Sequence, residues 1–212
     1  AGSGVNKIAS VLEREGIIEK PWAFRVMVQI SGVDTQLKAG EYLIPSGVTP
    51  EAAALILVSG NVVKHHITFP EGRTSKELIT LLNQVDGLGE LITEIPKEGS
   101  LLPETYQYIK GMTRQQILER MQQSMEETLD HLWLNRADGL PFKTKEEALI
   151  LASIVEKETS LEAERGLIAG VFINRLEKGM RLQTDPTVIY GITEGQFGLD
   201  RPLSRKDLKA EA

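Results

Sequence analysis

The sequence of 212 residues contains no cysteine, and aromatic residues make up only 5% of it. The absence of cysteine excludes disulfide bonds, a thiolate nucleophile and zinc sites with cysteine ligands, but it leaves the redox compartment open. No apolar run reaches the ~18 residues that span a bilayer, and the first residues have neither the basic end nor the apolar run of a signal peptide. The abrupt start and the polar end favour a fragment of a longer protein.

The charge balance is acidic, with a formal net charge of -6 and an isoelectric point near 5.3. Proteins that bind nucleic acid cluster Lys and Arg to neutralise phosphates, so this balance argues against a nucleic-acid partner. With 41% hydrophobic residues the chain can bury a core, and its length favours two structural units rather than one.

A turn glycine followed two residues later by a helix-capping residue recurs in the N-terminal half. The third residue of each triplet can accept hydrogen bonds from free N–H groups at a helix start. Apolar residues then follow at spacings of three or four, as an amphipathic helix requires. The triplets are 4–6, 47–49, 72–74 and 111–113, which place the predicted caps at Asn6, Thr49, Thr74 and Thr113.

Two segments between these helices are predicted to be strands, 41–44 and 62–69, each followed by proline. The first half is therefore expected to consist of small α+β units. His65 and His66 lie next to each other in the second strand, where neighbouring side chains point to opposite faces. They cannot both bind one ion without distortion, so we expect no metal site.

The second half is predicted to be mainly helical. A long helix over 113–130 is followed by a Gly- and Pro-containing break at 135–141, and a domain boundary is expected within 101–112. Thr144, with Glu147 three residues later, is typical of a helix start. The apolar run 148–155 then predicts a helix that is buried nearly all round.

This predicted apolar helix ends in Glu156, Lys157 and Glu158. At 100° per residue, Glu158 lies about 60° from the centre of the apolar arc and Glu156 about 100° from it, on the other side. We therefore expect Glu158 to be the more buried carboxylate, and burial favours the protonated form that an acid catalyst needs. The alternative is a solvated charged turn at the helix end.

Several words of the sequence resemble the YceG-like family of endolytic lytic transglycosylases, the MltG proteins of bacterial cell-wall metabolism. They are RADGLP, ASIVEKET, AGVFINRL and GMRLQTDPTVIYG, and the resemblance spans at least Leu101 to Leu208. The repeated Gly-x-Thr pattern also resembles LysM-like modules, which bind N-acetylglucosamine-containing glycans, although it is equally good helix-start chemistry.

The resemblance implies an α+β fold, with small LysM-like α/β units followed by a mainly helical, lysozyme-like catalytic domain with short strands. We expect a LysM-like substrate-binding region at 1–100, as one region or as two units at about 1–62 and 63–100, and a catalytic domain at 101–212. Family members continue past the equivalent of Leu208 into a Gly-Leu-Pro-Pro-Gly type segment that this chain does not contain. The catalytic domain is therefore expected to be truncated at its C-terminus.

The resemblance also implies an activity and a location. Family members cleave the β-1,4 bond between N-acetylmuramic acid and N-acetylglucosamine without water, leaving 1,6-anhydro ends and terminating glycan elongation. They need neither a metal nor an organic cofactor. A single N-terminal helix, absent from this chain, anchors them in the bacterial cytoplasmic membrane with the catalytic domain on the outer, periplasmic side. Peptidoglycan glycan strands and peptidoglycan synthases are the implied partners.

Glu158 is the predicted catalyst, because Glu158-Thr159 is similar to the Glu-Ser pair of goose-type lytic transglycosylases; Glu156 is the supporting or alternative carboxylate. Arg175 is predicted to pair with Glu164 or Glu158, or to form a plain surface salt bridge. Tyr190 suits either a sugar ring or the core, and Asp185 suits a helix N-cap with Pro186 at the first helical position. The candidate substrate-binding residues are Gln183, Thr184, Asp185, Thr187, Tyr190 and Asn174.

Two other functions remain open from the sequence. A non-catalytic glycan-binding or scaffolding module would depend on the LysM-like half. A hydrolase would need a second carboxylate about 5–9 Å from the first, and Asp185 is the candidate for it.

Overall fold

The computed structural model describes residues 4–195 and 199–209, and these form an α+β fold of helices around one small sheet. The α-helices of the described residues are α1 Val5–Arg14, α2 Pro21–Ile30, α3 Pro50–Ser59, α4 Ser75–Asn83, α5 Arg114–Leu134, α6 Lys145–Glu158, α7 Glu162–Glu177 and α8 Asp185–Thr193. A 3-10 helix follows at Asp207–Lys209. The α+β prediction is confirmed.

The sheet pairs β1 Lys64–Thr68 with β2 Thr105–Ile109. Thr68 lies opposite Thr105, at 2.8 Å between their hydroxyl oxygens, and His65 stacks on Tyr108 at 5.3 Å between ring centroids. This register makes the strands antiparallel. The strand predicted at 41–44 is wrong, because only a single backbone bond, from the N–H of Val63 to the carbonyl of Glu41, fastens this extended segment beside β1.

Contacts divide the chain into two units. One contains the described parts of Ala1–Ile67, Gly87–Gly89 and Gln107–Met112, and the other contains the described parts of Thr68–Asp86, Glu90–Tyr106 and Thr113–Ala212. This division differs from the expected boundary after residue 100, since 68–86 and 90–106 group with the later helices. Whether either part acts as a LysM-like or a catalytic domain stays a prediction.

The core of the first unit lies between α1, α2 and α3. Its buried side chains are Ala9, Leu12, Ile18, Phe24, Val28, Ala53, Ala54 and Leu57. The sequence patterns predict α1 and α3 but not α2, which starts with proline in its first turn. Helix α1 begins at Val5 with Gly4 as the N-cap, so the predicted cap at Asn6 is wrong.

The caps predicted for the other helices are confirmed. The hydroxyl of Thr49 accepts from the N–H of Ala52, and Thr74 and Thr113 form capping boxes with the side chains three residues later. Thr144 accepts from the N–H of Glu147 at the start of α6. These bonds fix where the helices begin, because each satisfies an N–H group that has no partner inside the helix.

Helix α6 packs along one face only, so the prediction that it is buried nearly all round is wrong. Leu151, Ile154 and Val155 are buried and form a cluster with Phe172 of α7, whereas Ile150 is 62% exposed. Helices α5, α7 and α8 all contact α6, yet its buried side chains form a stripe rather than a whole surface. Among the helices of the described chain, none is both long and apolar enough to cross a bilayer.

Candidate functional site

The site is built on the turn that joins α6 to α7. Helix α6 ends at Glu158, and Thr159 follows as an extended residue that is only 9% exposed. The hydroxyl of Thr159 accepts from the N–H of Leu161 at 3.0 Å and donates to Oε2 of Glu164 at 2.9 Å. Two hydrogen bonds of the Thr159 hydroxyl therefore stabilise this turn, and the turn fixes the position of the end of α6 that carries the two glutamates.

An open cleft of about 440 Å³ lies beside this turn. Its lining residues are Glu71, Gly72, Arg73, Glu156, Lys157, Glu158, Thr159 and Ser160. Gly72 has φ +69, a backbone conformation that favours glycine, and a Cβ at this position would lie 3.6 Å from Cγ of Glu156. The 70–74 loop that precedes α4 thus forms the wall of the cleft opposite the end of α6.

Glu158 is exposed, so the expectation that it is the more buried glutamate is wrong. Its Oε1 accepts a hydrogen bond from the hydroxyl of Thr184, a side chain that is itself only 4% exposed. Oε2 of Glu158 has no partner among the residues that the structure describes. The carboxyl group is therefore oriented by one neutral donor and keeps its second oxygen free toward the cleft.

Glu156 is the more buried carboxylate, with 26% of its side chain exposed, and Nη2 of Arg165 lies 2.8 Å from its Oε2. The same nitrogen of Arg165 lies 3.3 Å from Oε2 of Glu71. The angle estimate failed because it considered α6 alone, whereas α7 brings Arg165 to the side of α6 that carries Glu156. Glu156 is an ion-pair partner, and Glu158 is not.

Thr184 is the N-cap of α8, yet its hydroxyl makes no bond to its own helix because it is directed to Glu158. The prediction of Asp185 as the N-cap is thus wrong by one residue, since Asp185 is the first helical residue and Pro186 the second. Thr187 donates to the carbonyl of Thr184 at 2.8 Å. Gln183 is exposed and has φ 55, a left-handed conformation that is uncommon outside glycine.

None of the six candidate substrate-binding residues is among the residues that line the cleft, and Thr184 reaches it through its bond to Glu158. Tyr190 is 50% exposed on α8, so it is not a core residue, and Asn174 is exposed on α7. Arg175 donates to the carbonyl of Leu182, and in the described chain it forms no ion pair with Glu164 or Glu158. The prediction that it pairs with a carboxylate is therefore wrong. The chain folds back after α7, and this places the carbonyl of Leu182 within reach of the guanidinium. Arg175 instead holds the segment that leads to Thr184.

Four charged residues at or beside the cleft are not among the predicted site residues: Glu71, Arg73, Lys157 and Arg165. The Gly-Arg-Thr triplet at 72–74 predicts a helix start, and its loop also lines the cleft. The pair Glu164-Arg165 suits a plain surface salt bridge, as Arg175 does, but Arg165 pairs with Glu156 and with Glu71, which is 94 positions away. The signals that the sequence offers are a turn motif that carries charged residues and the Glu164-Arg165 pair.

His65 has structural partners. Nε2 of His65 lies 2.7 Å from Oε2 of Glu41, and its ring stacks on Tyr108. Within 4–195 and 199–209, no group of three or more His, Asp or Glu side chains is arranged to hold a metal ion.

Comparisons with known proteins place this geometry in a context. A family model described as "YceG-like family" matches residues 1–212. A relative from Bacillus subtilis (strain 168) named "Endolytic murein transglycosylase" is 29% identical, over 100% of this chain and 66% of the relative. A Streptococcus pneumoniae protein with the same name (serotype 2, strain D39) is 26% identical, over 96% of this chain and 44% of the relative.

A solved structure gives the same indication. The crystal structure of a yceG-like protein from Listeria monocytogenes matches with a TM-score of 0.51 and 25% identity, over 100% of this chain and 78% of that chain. The chain spans less than two thirds of the length of the two murein transglycosylase relatives named above, 66% of one and 44% of the other.

Proposed function

Because the chain belongs to the YceG-like family, we propose that it is part of an endolytic murein transglycosylase, a lyase that cleaves glycan strands of nascent peptidoglycan. The observation that carries the proposal is the hydrogen bond from the buried hydroxyl of Thr184 to Glu158 at an open cleft. It orients one carboxyl group toward a space that a glycan strand can enter. The relatives named as murein transglycosylases support the same activity.

One carboxyl group suffices for the reaction. Glu158 protonates the glycosidic oxygen as the bond from that oxygen to C1 of N-acetylmuramic acid breaks, and the part of the strand that begins with N-acetylglucosamine leaves with a new 4-hydroxyl group. The resulting carboxylate then takes the proton of the C6 hydroxyl while O6 bonds to C1. The products are a 1,6-anhydro end and a new free end, and no water is consumed.

Glu158 suits this role better than Glu156. A proton carried between a substrate and an oxygen needs that oxygen to be accessible, and Oε2 of Glu158 has no protein partner in the described chain. Glu156 is already engaged by Arg165 at 2.8 Å, so its Oε2 is not free to meet a substrate. Glu156 is therefore assigned a supporting role.

The segment that begins at Gln183 is proposed to contact the sugar. Gln183 and Asp185 are exposed on either side of Thr184, so their amide and carboxylate groups are free to bond hydroxyl and N-acetyl groups. Tyr190, half exposed on α8, can stack on a sugar ring. Thr187 and Asn174 are the remaining proposed contacts.

The finer features of the family are part of the same proposal. The N-terminal region is assigned a LysM-like glycan-binding role and the later helices a lysozyme-like catalytic role. The natural protein is proposed to be anchored in the bacterial cytoplasmic membrane, with its catalytic part on the periplasmic side. Its proposed partners are peptidoglycan strands and the synthases that extend them.

The test is product analysis on purified peptidoglycan with the intact protein and its Glu158→Gln variant. We expect 1,6-anhydro ends from the unchanged protein and none from the variant, read by mass spectrometry. Loss of activity in Glu156→Gln but not in Glu158→Gln would contradict the assignment of the catalyst. Binding of strands without any product would leave only the glycan-binding or scaffolding role.

A hydrolase is the second candidate, and one observation favours it. Asp185 directly follows Thr184, the residue bonded to Glu158, so its backbone lies beside the residue that orients the first carboxylate. Two carboxyl groups at suitable separation can activate water against the same bond. Reducing ends without anhydro ends, lost in Asp185→Asn, would replace the lyase by this reaction.

A further inference from the structure

Arg165 joins two of the three carboxylates that line the cleft. Its Nη2 lies 2.8 Å from Oε2 of Glu156 on α6 and 3.3 Å from Oε2 of Glu71 in the 70–74 loop, while Arg165 itself belongs to the first turns of α7. One guanidinium thus connects α6 and α7, which follow each other in the sequence, with the 70–74 loop, whose Glu71 lies 94 positions from Arg165. Guanidinium donors are fixed in a plane, so this contact constrains orientation as well as distance.

The charges around the cleft show which of its carboxylates is not paired with a cation. Of the cations that line it, Arg73 pairs with Glu77 at 2.8 Å, and Lys157 is exposed with no carboxylate within 4.0 Å in the described chain. Glu71 and Glu156 are both held by Arg165. Glu158 is consequently the one lining carboxylate of the described residues that is bonded to a neutral hydroxyl and not to a cation.

The arrangement around Arg165 is tighter than a plain surface pair. The Arg165 and Glu156 side chains are 35% and 26% exposed, whereas exposed pairs gain little because water competes for both charges. Nε of Arg165 is buried and has no hydrogen-bond partner among the described residues, so the side chain enters the protein rather than lying on it. The preceding residue, Glu164, accepts from Thr159 and fixes the same turn.

We infer that Arg165 is a positioning residue of this site: by holding Glu156 and the 70–74 loop, it sets the geometry in which Glu158 faces the substrate as the single carboxylate free of a cation. The inference rests on the proposed function. It predicts that Arg165 acts on the rate of the chemical step rather than on strand binding, because it touches the frame of the cleft and not the free oxygen of Glu158.

Three variants of the intact protein separate geometry from charge. Arg165→Gln removes both, Arg165→Lys keeps the charge but not the planar fork, and Lys178→Gln removes one charge from the exposed end of the same helix. We expect Arg165→Gln to lower kcat on glycan strands about 10- to 100-fold with KM within about twofold, since small misplacements at a site cost that much. Arg165→Lys recovers part of kcat, and Lys178→Gln leaves it unchanged.

A double variant tests the route through Glu156. If Arg165 acts by holding Glu156, then Arg165→Gln combined with Glu156→Gln loses no more activity than Arg165→Gln alone. Losses that multiply would overturn the inference, as would a kcat of Arg165→Gln within twofold of the unchanged protein. An effect confined to KM would also overturn it, because it would make Arg165 a strand-binding residue.

Hydrogen–deuterium exchange gives a readout that needs no activity. Arg165→Gln is expected to increase amide exchange in 70–74 and 156–161 together, and Lys178→Gln is not. Unchanged exchange in both segments would overturn the inference even if the protein proved inactive. Failure of the proposed function is separate, since it is recognised by an unchanged protein that forms no anhydro ends or that keeps its activity in Glu158→Gln.

Discussion

The two ends of helix α6 carry the same kinds of side chain and use them for different purposes. At the N-terminal end, Thr144 caps the helix and Glu147 accepts from the N–H of Lys143 at 2.6 Å. At the C-terminal end, Glu158 is bonded to Thr184, which lies 26 positions away. The bonds of Thr144 and Glu147 thus stay within four residues, whereas the bond of Glu158 joins two elements across the fold. The comparison contrasts a carboxylate that helps to start a helix with one that a residue distant in the sequence orients at the cleft.

The largest expected effect is on kcat, and it comes from replacing one glutamate by glutamine at each end of α6 in turn. Glu158→Gln should lower kcat on glycan strands about a hundredfold to ten-thousandfold, the range that general acid–base catalysis contributes. Glu147→Gln should leave kcat unchanged and alter the free energy of unfolding by less than about 0.5 kcal/mol, as exposed substitutions do. Steady-state kinetics and denaturant unfolding measure the two. Equal activity of both variants would erase the distinction between the ends.

The hydroxyls at the two ends allow a sharper comparison. Thr184→Val removes the donor to Glu158 and should lower kcat about tenfold, since a hydrogen bond to a charged group contributes about 1.5–3 kcal/mol. Thr144→Ala removes a cap and should lower the free energy of unfolding by about 1 kcal/mol without changing kcat. The two variants should thus fail in different assays. A stability loss with full activity in Thr184→Val would show that its hydroxyl has a structural role only.

The smallest effect concerns pH and belongs to the N-terminal end. The backbone N–H of Glu146, at the start of α6, donates to its own carboxylate and, with the hydroxyl of Thr144, holds the pKa of Glu146 below its ordinary value of 4.5. A carboxyl group with a lowered pKa in the folded state stabilises the fold above its unfolded pKa, and that contribution is lost as the pH falls through the folded value.

The measurement for this effect is thermal unfolding between about pH 6 and pH 3. We expect the melting temperature of Glu146→Gln to fall less steeply with decreasing pH than that of the unchanged protein. Glu158→Gln serves as the matched control from the other end. Identical slopes for Glu146→Gln and the unchanged protein would rule out the stabilising role of Glu146 at the helix start.

The same contrast explains what the sequence could predict. Thr144 and Glu147 are three residues apart, so the capping physics of one turn was enough to place the start of α6. The words around Glu158 and Thr184 identified the family and both residues of the central contact. Their geometry was less accessible: the ranking of Glu156 and Glu158 by burial was wrong because α6 was considered without its neighbour.

Arg165 and Arg175 show why the rest escaped. Both lie on α7, and the sequence favoured Arg175 for a carboxylate because it belongs to a recognisable motif. In the structure Arg175 meets the carbonyl of Leu182, whereas Arg165 meets Glu156 and Glu71. Which arginine reaches a carboxylate depends on how α7 turns against α6 and where the 70–74 loop returns. No pattern within a few residues contains that information.

The hydroxyl of Thr184 bonds to Glu158 rather than to the start of α8, and this affects which parts of the site must move. This hydroxyl does not cap its own helix, so turning the O–H toward a bound sugar breaks no bond that holds α8 together. In the proposed reaction, the bond between Thr184 and Oε1 of Glu158 can therefore open and re-form while Oε2 carries the proton, and every helix stays in place. The motion that such a site requires is the rotation of one hydroxyl proton on a fixed side chain. It requires neither a lid nor closure of the cleft.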